Sequence, residues 1–203
     1  SGPDSPPTRL SGPSARHKKS GKTRWAKGGV RVIEEFRTER LTARRLGAAD
    51  FDDIFRMHTD PAVMATLGGR LWSEDETRAF LGRVQAHWDE HGFGLWSIRH
   101  TATGDFAGRA GLRRLPLDGV WEDELLYGYS KRWWGRGVAT EIAVALADIA
   151  FSRLRFTSLV SFTLPTNVQS RRVMEKTGFL YERNFIYSGL PHVLYRRRNH
   201  GSL

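Results

Sequence analysis

The amino-acid sequence predicts an α/β domain, in which helices pack against a mixed sheet. Three short apolar runs, FGLWSIRH, DFAGRAGLRRL and ELLYGYS, are separated by turn-forming residues, which is typical of an antiparallel meander. Farther along, Val138, Ile142, Leu146 and Ile149 recur at helical spacing, and FTSLVSFTL then alternates as a strand does. Strands and helices in this arrangement pack in layers around one core.

One strand and two helices are predicted ahead of the meander. RTERLTARRL, at residues 37–46, alternates as a strand does, and Asp50 then stands where it can cap a helix with one apolar face. A second helix is expected to start at Ser73, because SEDE supplies a cap and an acidic first turn. This helix should end near Gly92.

A last helix and two strands are predicted after the alternating run. In TNVQSRRVMEKTGF, Thr166 and Gln169 fit a capping box, and Gly178 fits the left-handed residue that ends a helix. Strand-like runs follow at residues 180–187 and 193–195.

Composition indicates one domain with a tail. The 203 residues are 39% hydrophobic and 11% aromatic, enough for one sizeable core, which we expect at residues 35–203. The segment 1–34 is rich in Ser, Pro and Gly and is expected to be a flexible basic tail. Its first 33 residues carry eight basic side chains and one acidic one, so about +7 of the net charge of +10 lies there. The tail is either a solvated arm or a weak contact for RNA or another polyanion.

Two absences exclude further classes of protein. The chain has no cysteine, which rules out disulfides, thiolate zinc sites and a cysteine nucleophile. No stretch approaches the roughly 20 apolar residues of a membrane span, and the N-terminus lacks the apolar run of a secretory signal. We therefore expect a cytoplasmic protein with no membrane partner.

The segment KRWWGRGVATE, residues 131–141, places Gly135 and Gly137 directly before a predicted helix. Glycines let the backbone approach an anion closely, and the first-turn amides and the helix dipole supply donors. Phosphate is the natural ligand, and a plain turn into a helix is the alternative. A dinucleotide-binding pattern fails because Thr140 stands at the third glycine position, and a P-loop pattern fails because Gly-Lys-Ser/Thr is missing.

Two landmarks in the sequence resemble those of the GNAT acetyltransferases. The residues from Arg132 to Gly137 fit the family signature R/Q-x-x-G-x-G/A, between a predicted strand and a predicted helix. Some thirty residues later, Asn167-x-x-Ser170 is followed by EKTGF, which is similar to the second landmark of the family. TERL at 38–41 and DPAV at 60–63 resemble the branch that contains the ribosomal-protein N-terminal acetyltransferases (RimJ/RimL-like). The resemblance covers about residues 36 to 197.

This resemblance implies a GNAT fold, a mostly antiparallel sheet flanked by helices and splayed between the strand ending at Ser130 and the strand at 156–163. Acetyl-CoA would lie in the opening as co-substrate, and no metal is implied. Its pyrophosphate would bind backbone amides, and its pantetheine would pair with the strand around Tyr129. The residues expected to contact acetyl-CoA are Tyr129, Ser130, Arg132, Gly135, Arg136, Gly137, Val138, Ala139, Thr140 and Asn167.

Two residues are candidates for the chemistry, because acetylation of an amine needs a proton acceptor and a partner for the departing sulfur. Glu124 lies on the strand that leads to the glycine loop and is the candidate base; alternatively it is an ordinary paired or exposed carboxylate, like the adjacent Glu122 and Asp123. Ser170 stands where many relatives carry a tyrosine near the sulfur, and a serine hydroxyl suits hydrogen bonding there. Asn167 could instead serve only as a helix cap.

A competing motif is HWDEH, in which His87 and His91 have the spacing of an inverted zinc-protease pattern. Gly92 follows at once, so His91 is expected in the last turn of a helix, where a basic residue suits the dipole. We therefore expect no metal.

The sequence as a whole predicts an N-acetyltransferase that moves the acetyl group of acetyl-CoA directly to a primary amine. The acceptor would be a protein N-terminal α-amine or a small-molecule amine, since an α-amine of pKa about 8 is about 10% neutral at pH 7 and needs only a modest base. Two other classes stay open: a non-catalytic acyl-CoA-binding module and a basic RNA- or ribosome-binding protein. The chain could be a monomer or a homodimer.

Overall fold

A computed structural model describes residues 32–199. The strands, in chain order, are β1 (Glu35–Arg37), β2 (Leu41–Arg45), β3 (Leu95–His100), β4 (Phe106–Leu117), β5 (Val120–Tyr129), β6 (Ser158–Thr163), β7 (Leu180–Tyr187) and β8 (Leu190–Arg198). The helices are α1 (Phe51–His58), α2 (Pro61–Met64), α3 (Glu74–His91), α4 (Val138–Asp148) and α5 (Val168–Lys176). The predicted α/β class is confirmed.

All eight strands form one sheet in the order β1-β2-β3-β4-β5-β6-β8-β7. Neighbours pair antiparallel except β5 and β6, which are parallel and are connected through α4, as a parallel pair requires. The ladder between β5 and β6 consists of one residue pair, Glu124 with Val160. Beyond that pair the two strands separate, so the described part of the sheet is splayed in its middle, as the resemblance implied.

Local signals set the boundaries of α3. The Ser73 hydroxyl accepts a hydrogen bond from the Glu76 amide, the Glu76 carboxylate accepts one from the Ser73 amide, and Gly92 ends the helix at φ 75°. A capping box and a left-handed glycine act within four residues of the helix end, so the sequence alone suffices to place them.

Two predicted caps are wrong in detail. Asp50 precedes α1, but its carboxylate accepts from the Gly47 amide at 3.1 Å and from Arg99 at 3.2 Å, because a short 3-10 turn at Ala48–Asp50 points it backwards. At α5 the cap is Asn167, whose amide oxygen accepts from the Ser170 amide at 3.1 Å, so the cap lies one residue after Thr166 and the predicted capping box with Gln169 does not form.

The hairpin between β4 and β5 is tighter than predicted. Asp118 (φ 49°) and Gly119 (φ 81°) alone form its turn, while Pro116 and Leu117 belong to β4. Two consecutive left-handed residues match the right-handed twist of the flanking strands. β5 therefore begins at Val120 rather than near Glu124, and Glu124 lies mid-strand.

Most of the predicted tail, residues 1–31, lies outside the described residues. Its last residues pack on the domain, because the Trp96 indole donates a hydrogen bond to the Ile33 carbonyl at 3.1 Å and Val32 contacts the core. Among the described residues, no helix is both long enough and apolar enough to cross a membrane.

Candidate active site

The splay opens a cavity of about 1050 Å³ between β5 and β6. One part, which we call the α4 half, is lined by the glycine loop, the start of α4 and the start of α5, including Gly137, Thr140 and Ser170. The other part, which we call the α3 half, is lined by residues 66–72, by α3 and by side chains of β4. The size lies at the upper end of the range typical of small-molecule sites.

The glycine loop enters α4 through left-handed backbone. Gly135 has φ 70° and Gly137 has φ 76°, a region that favours glycine. The Glu141 amide is the first to bond inside the helix, to the Gly137 carbonyl at 3.0 Å, so the amides before it have no helical partner. A cradle of free amides at a helix start fits a phosphate group, and the residues present therefore fit the pyrophosphate of acetyl-CoA.

An ion pair from the start of the domain braces this loop. Arg40 donates to the Glu141 carboxylate from Nε at 2.8 Å and to the Arg136 carbonyl from Nη1 at 3.0 Å. Thr38 donates to the same carboxylate from its hydroxyl. Burial raises the pKa of Glu141, but the hydrogen bonds from Thr38 and Arg40 outweigh it and hold the pKa below its usual value. The TERL segment stands out in the sequence, but its contact with Glu141 joins residues 101 positions apart and could not be predicted from it.

The free edge of β5 faces the cavity through two tyrosine peptide groups. The Ser130 amide donates to the Ala107 carbonyl of β4 at 2.9 Å, so by the alternation of a strand the peptide groups of Tyr127 and Tyr129 point to the opposite edge of β5. The Trp134 indole donates to the Tyr129 carbonyl at 2.9 Å. The backbone N–H of Tyr129 and the backbone N–H and C=O of Tyr127 would be available to a pantetheine chain.

Arg132 lies at the rim. Its side chain is about half exposed (55%), pairs with Asp105 at 3.4 Å and lies over the Trp133 ring at 5.3 Å. These contacts place Arg132 beside the loop, and it is not among the residues that line the cavity.

Ser170 has a partner that sequence reasoning missed. Its hydroxyl lies 3.1 Å from the Tyr127 hydroxyl, which also donates to the Ser170 carbonyl at 3.2 Å. Burial raises the pKa of Tyr127 to about 12, although the hydrogen bond with Ser170 opposes the rise. The alternation of β5 was the available signal, since it turns Tyr127 to the face opposite Glu124.

Glu124 lies at the point where the sheet opens, is 3% exposed and lines the cavity. Arg113 donates to its Oε2 from Nε at 2.8 Å and approaches it from Nη2 at 2.6 Å. The neighbouring carboxylates are held elsewhere, Glu122 by Arg196 at 2.7 Å and Asp123 by Arg114 at 2.9 Å. Glu124 is therefore a paired carboxylate that also belongs to the cavity.

The histidines of HWDEH are engaged in packing. His87 contacts the Phe93 carbonyl through Nδ1 at 2.9 Å, and its Nε2 accepts from the Arg114 amide at 3.0 Å, so both ring nitrogens are used. Burial lowers the pKa of His87 to about 4, and His91 lies in the last turn of α3. In the described part of the chain, no group of three or more His, Cys, Asp or Glu residues could hold a metal ion.

The splayed sheet and the free amides at the start of α4 are typical of a class of proteins that use acyl-coenzyme A. Residues 40–180 match the family model described as the acetyltransferase (GNAT) domain, and the chain belongs to this family, which uses acetyl-CoA as co-substrate.

Relatives agree with this assignment. FsC-acetyl coenzyme A-N(2)-transacetylase of Aspergillus fumigatus is 30% identical over 170 residues, 77% of this chain and 69% of that protein. The uncharacterized protein YkkB of Bacillus subtilis is 29% identical over 164 residues, 80% of this chain and 95% of YkkB. The crystal structure of an acetyltransferase from Agrobacterium tumefaciens is 33% identical with a TM-score of 0.72, covering 82% of this chain and 95% of that one.

The ribosomal-protein branch has weaker support. The structure of a putative ribosomal-protein-serine acetyltransferase from Vibrio cholerae has a TM-score of 0.64 and covers 81% of this chain and 97% of that one, but it is 18% identical. At that identity the likeness shows the shared fold alone.

Proposed function

We propose that this protein is an N-acetyltransferase that transfers the acetyl group of acetyl-CoA directly to a primary amine. The observation that carries the proposal is the opening at Glu124 and Val160, with the free amides of α4 at one end and a buried carboxylate at its apex. The amides of residues 136–140 would hold the pyrophosphate, and Gly135 and Gly137 would let it approach. Bound acetyl-CoA supplies an activated thioester. Asn167 would act mainly through the cap that fixes the start of α5.

The two faces of β5 divide the work. Glu124 points into the α3 half, and Tyr127 points towards Ser170 in the α4 half. The amine would therefore approach from the α3 half, with Glu124 accepting its proton directly or through a water, while the carbon–nitrogen bond forms and the carbon–sulfur bond breaks. Burial raises the pKa of Tyr127 and makes its hydroxyl a weaker acid than that of a free tyrosine, so the Tyr127 and Ser170 hydroxyls would stabilise the departing thiolate by hydrogen bonding.

A thiol-release assay tests the proposal. Purified protein is given acetyl-CoA and a panel of peptides with free N-termini, amino acids and small amines, and free thiol is measured over time. We expect release with at least one amine, and Glu124→Gln to lower kcat by about 10²-fold or more, the range typical of general-base catalysis. The matched control is Glu74→Gln, an exposed carboxylate at the start of α3, which should keep wild-type turnover.

Other outcomes would favour the other classes. Tight CoA binding without thiol release for any amine would identify a non-catalytic acyl-CoA-binding module. Salt-dependent binding of RNA that disappears when residues 1–33 are deleted, with no CoA binding, would favour the polyanion-binding alternative. The ribosomal-protein branch, the cytoplasmic location and the monomeric or homodimeric state stay predictions from the sequence.

A further inference from the structure

The cavity is lined by more cations than carboxylates. Of the described residues that line it, seven are Lys or Arg and one, Glu124, is acidic. Arg172 and Lys176 lie on α5 in the α4 half, where their positive charge suits the phosphates of acetyl-CoA. The other five, for which no phosphate of acetyl-CoA is expected, are Arg70, Arg83, Arg109, Arg113 and Arg114. Arg70, Arg113 and Arg114 form ion pairs with Glu76, Glu124 and Asp123, which leaves Arg83 and Arg109 without an ion pair among the described residues.

Arg109 is the unusual member of this set. It is 8% exposed and lines the cavity from β4, yet its Nε is buried without a hydrogen-bond partner, and no carboxylate of the described residues forms an ion pair with it. Its guanidinium lies over the Phe80 ring, with Cζ 5.1 Å from the centroid. The charge of Glu124 favours the charged form of Arg109, but the Glu124 carboxylate is already bound by Arg113.

Arg109 keeps its charge at neutral pH. Burial, with the charge of Arg113, lowers the pKa of Arg109 to about 10 while Glu124 opposes the change, so about one side chain in a thousand is neutral at pH 7. A buried cation is costly unless it is paired, and a contact with an aromatic face is much weaker than an ion pair. The arrangement therefore suits a negative group that arrives with a ligand.

Arg109 lies on the side from which the amine would enter. It pairs across the ladder with Gly128, just as Arg113 pairs with Glu124, and directly paired residues share a face of the sheet. The four residue steps from Glu124 to Gly128 span about 13 Å along β5. The charge of Glu124 nevertheless acts on that of Arg109, and both side chains line one cavity, so a small molecule with an amine and an anion can contact both.

We propose that the acceptor is a small amine that also carries a carboxylate, and that this carboxylate binds Arg109 when the acceptor enters the α3 half. The inference rests on the proposed acetyl transfer. Carboxylate and guanidinium form two parallel charge-assisted hydrogen bonds, a geometry that the planar head of arginine favours. Arg83 and Arg109, which form no ion pair among the described residues, would repel polycationic acceptors such as polyamines.

The test compares acceptors that differ only in charge. For each of several amino acids, kcat/KM is measured beside that of the corresponding amino-acid amide, and dipeptide amides that begin with Asp or Glu are compared with those that begin with Asn or Gln. The amino acids test an α-carboxylate and the dipeptides a side-chain carboxylate. We expect the wild type to prefer the acid over the amide in one of these pairs by at least about 10-fold.

Variants then assign that preference to Arg109. Arg109→Gln should reduce the acid-to-amide ratio about 10- to 100-fold, mainly through KM, and Arg109→Lys should restore part of it. Arg37→Gln, at an exposed arginine of β1, should keep the wild-type ratio. Circular dichroism checks folding, and Arg109→Lys decides the outcome if Arg109→Gln is unfolded.

Failure of this inference can be told apart from failure of the proposed function. If no amine of either kind releases thiol, the transferase proposal itself fails. If amines are acetylated but neutral or polycationic ones are preferred, or if the ratio is the same in the folded Arg109 variant, the assignment of a carboxylate to Arg109 is overturned.

Discussion

Gly137 is the position at which the proposed CoA site can be tested most directly. Replacing it with valine keeps the loop sequence otherwise intact but places a β-branched residue at φ 76°. A Cβ there would lie 3.4 Å from Nη2 of Arg40, the flexible end of a long side chain, so crowding is a minor cost. The main cost is the left-handed conformation itself, roughly 1–3 kcal/mol for a residue other than glycine.

The expected loss of affinity follows from that strain. If the free amides of α4 are presented only when residue 137 is left-handed, a penalty of roughly 1–3 kcal/mol lowers the binding-competent fraction, and hence CoA affinity, by about 5- to 150-fold. Titration calorimetry with CoA measures this change. Arg136→Ala should change affinity little, because the cradle uses the amide of residue 136 and not its side chain.

A matched glycine separates strain from binding. Gly119 has nearly the same conformation, φ 81°, in the turn between β4 and β5, and a Cβ added there would meet no atom within 4 Å. Gly119→Val should therefore lower stability by a similar amount but leave CoA affinity unchanged. CoA binding by Gly137→Val within threefold of wild type, or an equal loss in Gly119→Val, would refute the role given to the loop.

Two further predictions concern Tyr127 and His58. Tyr127→Phe and Ser170→Ala should each lower kcat without weakening CoA binding. The double variant should lose little more kcat than the worse single variant, because the two hydroxyls share a 3.1 Å hydrogen bond. Additive losses of kcat in steady-state assays would contradict a shared role. Burial, together with the charge of Arg109, lowers the pKa of His58 to about 3. Below pH 6.5 the unfolded chain therefore binds a proton that the folded chain does not, and the free energy of unfolding falls. Between pH 6.5 and 5 the loss is about 2 kcal/mol, and urea unfolding should show it in the wild type but not in His58→Phe; equal pH dependence in both would exclude His58 as the cause.

Features set by neighbours in the sequence could be predicted. The ends of α3 depend on Ser73, Glu76 and Gly92, and the glycine loop is contained in KRWWGRGVATE, so both are local. The same reasoning failed at Asp50, where a contact with Arg99, far away in the sequence, competes with the cap.

Features set by the sheet could not be predicted in the same way. Arg109 looks like an ordinary strand arginine until the fold encloses it beside Phe80, where no carboxylate within residues 32–199 forms an ion pair with it. The brace from Arg40 to Glu141 and the contact of Tyr127 with Ser170 join residues 101 and 43 positions apart. Such contacts depend on which strands and helices become neighbours, which periodicity does not encode.

The single residue pair that joins β5 to β6 has a consequence for folding. Because only one residue pair, Glu124 with Val160, joins the ladders of β5 and β6, β1–β5 and β6–β8 should behave as two cooperative units in native-state hydrogen exchange. The contact of β5 with β6 and the packing of α4 on α5 couple the two units. A molecule bound in the gap with amide groups of its own would act as a ninth strand. Its binding would then slow exchange in both units together and turn two unfolding transitions into one.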